Sequence, residues 1–369
     1  MLTINYYSPY QFALFRIIFG MYLILHFLLL MPHAYELSQI SGIVPLSRLL
    51  PMRAFLASLS LLSILFTLGI WRRTTALLLF LASCCLADRN FFGPTLAPPY
   101  IEFILLACVF VPAGEALKLR KKPKTHRHWA MPRWIFRGAW IILAISYCIS
   151  GLYRMQNPSW LILTQSFVFL KILSWCYISF ELSFIILCIF EITRKWAWLI
   201  MTLIQVVILL TGIHIELTLG LLMLHLFVFD ARWLKAPAFK EHPIVFFDGQ
   251  CGLCDWFVNF VISEDHNRVL LFSPLQGETA KTVISHIELD KLQSVILYDN
   301  NQLYRQSDAI LRTLGYLGGL WRLLELAKIF PRPLRDRIYD YIAKRRYKWF
   351  GHHEMCRIPT PDERRFFVP

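Results

Sequence analysis

The sequence predicts two unlike parts: an α-helical membrane domain of about eight spans over residues 1–235, and a C-terminal α/β domain over residues 243–369, joined by a linker at residues 236–242. The chain is 57% hydrophobic and only 17% charged, whereas a soluble domain is about one quarter charged. Long apolar runs fill the first part. Strand-like and helical patterns alternate in the second, which is typical of an α/β layer.

Eight apolar runs predict the membrane helices. They are Phe12–Met31, Phe55–Ile70, Thr75–Ala87, Tyr100–Ala113, Trp134–Leu152, Cys176–Ile192, Trp196–Thr211 and Ile215–Phe229. Several are shorter than the roughly 20 residues that a straight span needs. The segment Trp160–Leu173 stays open between a re-entrant or interfacial segment and a further span.

Basic residues predict the orientation of these helices, because loops rich in Lys and Arg stay in the cytoplasm. Such residues cluster at Arg72-Arg73, in residues 118–133, at Arg194-Lys195, and at Arg232 with Lys235. With eight spans these loops share one side. Both termini and the C-terminal domain are then expected on the cytoplasmic face of a plasma or inner membrane. Most of the formal charge of +14 lies in the membrane part, so the lipid bilayer is an expected partner and nucleic acid is not.

A pair of cysteines lies where a strand leads into a helix. Residues 244–247 are β-branched and aromatic, which predicts a buried strand, and Asp248-Gly249 predicts a turn. The helix after Cys251 and Cys254 is predicted by apolar residues at helical spacing. The start of a helix stabilises a thiolate and lowers the pKa of a cysteine there. We expect Cys251 to be the exposed nucleophile and Cys254 the shielded resolving thiol.

The motif Asp248-Gly-x-Cys251-x-x-Cys254 resembles that of the DCC family of thiol-disulfide oxidoreductases. The resemblance continues, over essentially all of residues 243–369, through Ser307-Asp308-Ala309, Tyr339, Ala343, Arg346-Tyr347, Phe350-Gly351 and Cys356. It implies a thioredoxin-like domain that exchanges thiols and disulfides with proteins or small molecules. Cys251, Cys254, Asp248 and Gly249 are its expected catalytic residues.

The pattern downstream predicts the order β, α, β, α, β, β, α, which is that of a thioredoxin-like layer. Two extra C-terminal helices are predicted at Leu320–Phe330 and Pro331–Phe350. The second is basic, and two interpretations stay open. In the first, the helix lies against anionic lipid headgroups, where each charge near the surface contributes about 1 kcal/mol to binding. In the second, its basic side is a solvated helix face.

The stretch Ile145–Trp160 resembles the hallmark of the HTTM superfamily, whose transmembrane domain is shared with vitamin K-dependent γ-glutamyl carboxylase. Residues near Arg16 and after Phe229 fit that pattern too. In the carboxylases Gly-x-x-Lys supplies a base, but here Gly151 is followed at the matching step by Arg154. Arginine stays protonated and cannot take that proton. We therefore expect no γ-glutamyl carboxylation.

Arg16, Arg154 and His225 form the candidate membrane-domain site, since ionisable groups in apolar runs are expensive and often functional. A quinone, a lipid or a peptide is the ligand to consider, and no cofactor is firmly implied. The alternative is that such groups snorkel or pair with one another.

Two other functions remain open. One is a non-enzymatic metal-binding or scaffold module, with zinc held by Cys251, Cys254, His353 and Cys356. The other is a transporter-like membrane domain regulated by the redox state of the C-terminal domain. In the main interpretation no metal is expected.

Overall fold

The computed structural model describes residues 7–34, 52–86, 97–117, 129, 131–156, 168–212, 215–265, 267–284, 295–352, 359, 361 and 363–369. The chain divides into two compact units. The first comprises Met1–Pro123 and Trp129–Phe229, and the second comprises Lys124–His128 and Asp230–Pro369. The predicted linker lies inside the second unit.

In its described residues the first unit contains eight helices of 13 to 24 residues, each overlapping one predicted apolar run. They are α1 (Pro9–Leu30), α2 (Met52–Thr67), α3 (Arg72–Leu86), α4 (Ala97–Phe110), α5 (Arg133–Gln156), α6 (Val168–Leu187), α7 (Glu191–Leu210) and α8 (Ile215–Phe227). Helix α6 begins inside the segment 160–173 that the sequence left open. Residues 157–167 lie outside the described ranges.

Helix α1 shows how local sequence sets a helix start. The Ser8 hydroxyl accepts a hydrogen bond from the backbone N–H of Gln11 at 2.9 Å, which satisfies one of the first-turn donors. Pro9 follows at a position where its fixed φ suits a helix and its missing N–H costs nothing. Phe15 and Phe19 are buried and stacked, with ring centroids 5.6 Å apart. Phe19 also meets Phe66 of α2 edge to face, with ring centroids 6.1 Å apart.

The prediction of about eight spans is not supported. Among the described residues, three helices are long and apolar enough to cross a membrane: Pro9–His33, Arg133–Gln156 and Glu191–Leu210. Helix α2 has 16 residues, and at about 1.5 Å per residue it is shorter than a hydrocarbon core of about 30 Å. Hydropathy locates apolar runs but not whether the folded helix has the length to span. The prediction that all basic loops share one side depended on that number.

The second unit contains a small mixed sheet. Its elements are β1 (Ile244–Phe247), α9 (Gly252–Glu264), β2 (Leu271–Pro274), α10 (Glu278–Val283), β3 (Ile296–Asp299), β4 (Gln302–Arg305) and α11 (Gln306–Leu317). This is the predicted order of elements. The strand order is β2-β1-β3-β4, with β1 parallel to β2 and antiparallel to β3, and β3 antiparallel to β4.

Strand β1 is central, and both of its faces are covered. Phe246 packs with Ala280, Ile284 and Ile296 in one buried cluster. Successive strand side chains alternate between faces, so the buried Phe247 points to the opposite side. A strand covered on both sides reads as a continuous apolar run, which explains the unbroken pattern before Asp248.

Two further helical segments follow: a 3-10 helix at Gly319–Ile329 and the long helix α12 at Arg332–Phe350. Helix α12 packs against α9 and α11. The last residues then return to the sheet. Phe367 forms a parallel bridge with Phe272, and the Val368 N–H donates to the Phe272 carbonyl at 2.9 Å. The end of the chain thus lies along the outer edge of β2, which the sequence did not predict.

Candidate active site

The cysteine pair lies at the junction between β1 and α9. Cys251 is the N-cap residue of α9, with φ −95° and ψ 120°. Its N–H donates to the Asp248 carbonyl at 3.3 Å, and its carbonyl accepts from the N–H of Asp255 at 3.0 Å. Gly249 is buried in the turn between strand and helix. A strand, a turn and a helix start therefore position the first thiol where the sequence predicted it.

The two thiols are electrostatically unlike. A hydrogen bond from the Cys254 thiol lowers the pKa of Cys251 to about 6, helped by the N–H groups of Cys254 and Leu253 and by the charge of Arg346, against the opposing effect of burial. The same hydrogen bond, together with burial and the neighbouring thiolate, raises the pKa of Cys254. At neutral pH the pair therefore holds one thiolate, on Cys251, and one proton, on Cys254. Neither cysteine forms a disulfide in the structure.

The expectation that Cys251 is exposed is wrong. Cys251 is 0% exposed and Cys254 is 7% exposed. The backbone of Phe350–His352, here called the strap, covers the first thiol. His352 forms an antiparallel bridge with Cys251, and the Gly252 N–H donates to the Gly351 carbonyl at 3.3 Å. A segment one hundred residues away in the chain makes this cover, so local pattern could not reveal it.

Two glycines allow the strap to approach so closely. A Cβ at Gly252 would lie 2.3 Å from the carbonyl oxygen of Phe350, closer than side-chain carbons approach other atoms. Gly351 has φ +84°, in the left-handed region that favours glycine. Gly252 within the cysteine motif and Gly351 at the end of α12 therefore make this backbone contact together.

Asp248 joins the turn to α12. Its Oδ1 accepts from the N–H of Gln250 at 3.0 Å. Its Oδ2 accepts from the Arg346 guanidinium at 2.9 Å and from the Tyr347 hydroxyl. Burial disfavours the charged carboxylate, but these hydrogen bonds and the positive charge of Arg346 outweigh it and lower the pKa of Asp248. Asp248 is therefore ionised at neutral pH and holds Arg346 beside the thiols.

Arg346 and Tyr347 belong to the site although the sequence analysis assigned them no role. The signal that could have found them is spacing: positions 339, 343, 346, 347 and 350 share one face of a helix. Tyr339, on the same face, accepts a hydrogen bond from the N–H of Val295 at 3.0 Å. One face of α12 therefore packs on the cysteine motif.

Comparison with known proteins identifies this unit. A family model described as DCC1-like thiol-disulfide oxidoreductase matches residues 245–352. An uncharacterized protein of Bacillus subtilis, YuxK, is 37% identical over 128 residues, which are 34% of this chain and 93% of that protein. The chain belongs to the DCC1-like thiol-disulfide oxidoreductase family.

A chloroplastic DCC family protein of Arabidopsis thaliana is 35% identical over 136 residues, covering 34% of this chain and 77% of that protein. No solved structure matched the chain. The family match lies wholly in the second unit, hereafter the DCC1-like unit. The fusion to an HTTM membrane domain that the sequence predicted is not shown by these comparisons.

The zinc alternative requires residues that the structure does not describe. His353 and Cys356 lie outside the described ranges. Within the described ranges, no group of three or more His, Cys, Asp or Glu side chains is arranged to hold a metal ion. Cys251 and Cys254 alone are two ligands, fewer than the four of a structural zinc site.

The three candidates of the first unit, Arg16, Arg154 and His225, engage three different sets of partners. The Arg16 guanidinium is fully buried, lies 3.4 Å from Glu115 and donates to the Leu117 carbonyl at 2.7 Å. Arg154 lies 2.7 Å from the buried Glu181 carboxylate. For these two residues the structure shows the pairing that the sequence had left open as the alternative.

His225 is buried, and both of its ring nitrogens have hydroxyl partners. Nε2 lies 2.7 Å from the Tyr147 hydroxyl, and Nδ1 lies 2.9 Å from that of Thr202. Because imidazole carries one donor and one acceptor when neutral, two hydroxyls satisfy it fully. These contacts hold α8 against α5 and α7.

Proposed function

We propose that the chain is a membrane-anchored thiol-disulfide oxidoreductase that acts through Cys251 and Cys254. The observation that carries the proposal is the split between the two thiols at one helix start: a lowered pKa of about 6 at Cys251 and a raised pKa at Cys254. The thiolate is the attacking species in disulfide exchange, and an unlike pair separates attack from release. Membership of the DCC1-like family supports the same reaction.

In the proposed reaction the Cys251 thiolate attacks one sulfur of a substrate disulfide. A bond forms between the two sulfurs, the substrate disulfide breaks, and its other sulfur leaves as a thiolate that takes a proton from solvent. Cys254 then loses its proton and attacks Cys251. The products are a Cys251–Cys254 disulfide and the second substrate thiol, so two electrons pass from the pair to the substrate. A dithiol reverses these steps and returns the pair to the reduced state.

The second step is favoured by the first. The Cys251 thiolate raises the pKa of Cys254, because it accepts the Cys254 hydrogen bond and repels a second negative charge. A mixed disulfide on Cys251 removes both effects. The charge of Arg346 lowers the pKa of Cys254 and stays in place through its ion pair with Asp248. Cys254 therefore ionises more readily when it is needed.

The strap must move before a substrate disulfide reaches Cys251, since the side chain is 0% exposed. The space beside Gly351 is open, because no atom lies within 4 Å of a Cβ built there. Phe350 and His352 on either side are themselves exposed. In the proposal, an incoming peptide or small-molecule disulfide replaces the strap backbone beside Cys251.

Membrane anchoring by the first unit is the second part of the proposal. Three helices support it by length and composition, and α7 carries exposed apolar side chains such as Ile192, Val207 and Leu210. We place the DCC1-like unit on the cytoplasmic side, because a reducing compartment suits a catalytic rather than a structural cysteine pair. A quinone, a lipid or a peptide remains the proposed ligand of the first unit.

Trapping of mixed disulfides tests the redox part. Cys254→Ser should accumulate disulfide-linked partners in cells, visible as reductant-sensitive bands, because release requires the second thiol. Cys251→Ser and the double variant should show none. Cys148→Ser, a free cysteine of the first unit, is the matched control. If Cys254→Ser traps nothing and stoichiometric zinc is lost on Cys251→Ser, the metal-binding alternative replaces this proposal.

Two measurements test the membrane part. The full chain should remain in the membrane pellet after alkaline carbonate extraction, and a reporter fused after Pro369 should read cytoplasmic. Release into the supernatant would contradict anchoring. A lumenal or periplasmic signal at Pro369 would place the cysteine pair in an oxidising compartment and contradict the proposed side.

A further inference from the structure

The outward face of α12 carries large apolar side chains. Leu334, Ile338, Tyr341, Ile342 and Trp349 are each 39–59% exposed. At 100° per residue these positions fall within an arc of about 100° on the helix. We call this set the apolar stripe. Apolar side chains along one side of a helix normally face a protein core, but here they are exposed.

The inward face of the same helix is already in use. Arg346 pairs with Asp248 at 2.9 Å, and Arg335 pairs with Asp308 at 2.8 Å. Tyr339 accepts from the Val295 N–H on the same side. These contacts set the rotation of α12 about its axis. The apolar stripe is therefore presented outward by the fold.

Basic residues run along one border of the apolar stripe. Arg337, Lys344 and Lys348, here called the basic flank, are exposed and lie within an arc of about 40°. In the described part of the chain none of the three has a carboxylate partner, unlike Arg335 and Arg346. Arg345 lies within the stripe, with its guanidinium 3.9 Å from the centroid of the Tyr341 ring. The exposed surface thus combines a mainly apolar side, which includes Arg345, with a positively charged side.

The apolar surface begins before α12. Leu326, Ile329 and Phe330 at the end of the preceding 3-10 segment are 59–80% exposed. They lead directly through Pro331 into the first turn of α12. Exposed apolar side chains that cluster next to charged residues are typical of an interaction site.

We propose that α12 docks on a bilayer that contains anionic lipid, with the apolar stripe at the boundary between headgroups and acyl chains and the basic flank against the headgroups. The composition favours this occupant. Lysine is depleted at protein–protein interfaces, whereas a row of exposed Lys and Arg is attracted to the negative surface of anionic lipid. Tyr341 and Trp349 are the aromatic types that concentrate at the membrane surface. Charge complementarity therefore selects anionic lipid.

Site-specific photocrosslinking of the full chain in lipid nanodiscs tests the docking. A benzophenone amino acid replaces Ile338 on the stripe, Gln302 on β4 as an exposed control, or Val207 on α7 as a reporter of anchoring. Nanodiscs contain phosphatidylcholine alone or with phosphatidylglycerol. We expect lipid adducts at Ile338 that increase several-fold with phosphatidylglycerol, and none at Gln302.

Charge reversal of the basic flank sharpens the test. The triple variant Arg337→Glu, Lys344→Glu, Lys348→Glu should reduce lipid adducts at Ile338 by at least about tenfold, since each basic charge near an anionic surface contributes about 1 kcal/mol to binding. The matched control is Lys240→Glu, Arg364→Glu, Arg365→Glu, which makes the same change of charge at exposed positions outside α12. It should leave the adducts unchanged.

Four results would overturn the docking. Protein adducts at Ile338, whether to the first unit, a second copy or another protein, would show that a protein covers the stripe. Lipid adducts that ignore phosphatidylglycerol and charge reversal would remove the electrostatic basis. Lipid adducts at Val207 without any at Ile338 would refute docking and leave anchoring intact, whereas none at either position would refute both.

Discussion

Arg346 and Asp248 are 98 positions apart in the chain, and their side chains form a nearly buried ion pair at 2.9 Å. Asp248 belongs to the turn before the first thiol, and Arg346 to the last long helix. Arg346 therefore adds a positive charge to the cysteine motif from outside the motif. Removing one partner of such a buried pair strongly destabilises a protein. The same ion pair therefore affects both the cysteine site and the stability of the unit.

Replacing Arg346 by an uncharged residue should raise the pKa of Cys251. The pKa of Cys251 is lowered to about 6, so its alkylation rate should rise through a midpoint near that pH. Arg346→Met removes a positive charge that favours the thiolate and should move the midpoint upward, toward the value of about 8.5 for a free cysteine. Arg346→Lys keeps the charge and should shift it less. Labelling followed by mass spectrometry measures each midpoint.

The control for that series is Arg345→Met, one position along the same helix with its guanidinium on the exposed stripe. Its midpoint should equal that of the parent protein. An unchanged midpoint in Arg346→Met would show that the helix start and Cys254 alone hold the thiolate.

Asp248→Asn should destabilise the DCC1-like unit, because it leaves the buried Arg346 guanidinium without its carboxylate. A loss of roughly 3 kcal/mol is expected for breaking a buried pair. The exposed Glu278→Gln is the control and should change little. Urea unfolding, followed by the circular dichroism of the full chain in detergent, gives the comparison.

The same residue predicts a pH dependence of stability. The folded pKa of Asp248 is lowered, so its contribution is present above the unfolded pKa of about 3.9. It is lost as the pH falls through the still lower folded pKa. Between pH 7 and pH 3 the parent protein should therefore lose more stability than Asp248→Asn. Parallel curves for the two proteins would refute the assignment.

Gly252→Ala should uncover Cys251. The added Cβ would lie 2.3 Å from the Phe350 carbonyl oxygen, so the strap must move away. Alkylation of Cys251 should become faster at every pH with an unchanged midpoint, since access and not ionisation changes. In Gly351→Ala the added Cβ would have no atom within 4 Å, but the backbone at φ +84° disfavours a side chain. This strain should lower the free energy of unfolding by about 1 kcal/mol.

Gly138→Ala is the control, because its Cβ meets nothing within 4 Å. It should label like the parent. Equal labelling of Gly252→Ala and the parent would mean that the strap does not limit access to the thiol.

Arg154→Ala should destabilise the first unit. Glu181 is 1% exposed and would lose the guanidinium that lies 2.7 Å away. Roughly 3 kcal/mol is again expected, and Arg154→Ala with Glu181→Gln should recover part of it, because no uncompensated charge remains. Thermal unfolding in detergent measures this change in stability.

The first unit should not carboxylate glutamyl peptides. Neither the parent protein nor Arg154→Ala should show this activity with reduced quinone and carbon dioxide, since arginine cannot act as the base.

Local pattern was sufficient for much of the fold. Each of the eight apolar runs overlaps a helix, and the run before Asp248 forms β1, because helical periodicity and β-branched composition act within a few residues. Turn residues at Asp248-Gly249 likewise placed Cys251 at a helix start. The predicted number of spans is not supported, because an apolar window does not report the length of the helix that contains it.

The sequence by itself therefore determined the elements, their order in the DCC1-like unit and the position of the two cysteines. Only the tertiary structure decided that Cys251 is covered, that Arg346 lies near it, and that Asp248 fixes the Arg346 guanidinium by an ion pair. These facts depend on contacts between residues about one hundred positions apart, made by backbone carbonyls and one ion pair. Short-range spacing carries no record of such contacts, because they arise when the last helix packs back onto the first turn of the sheet.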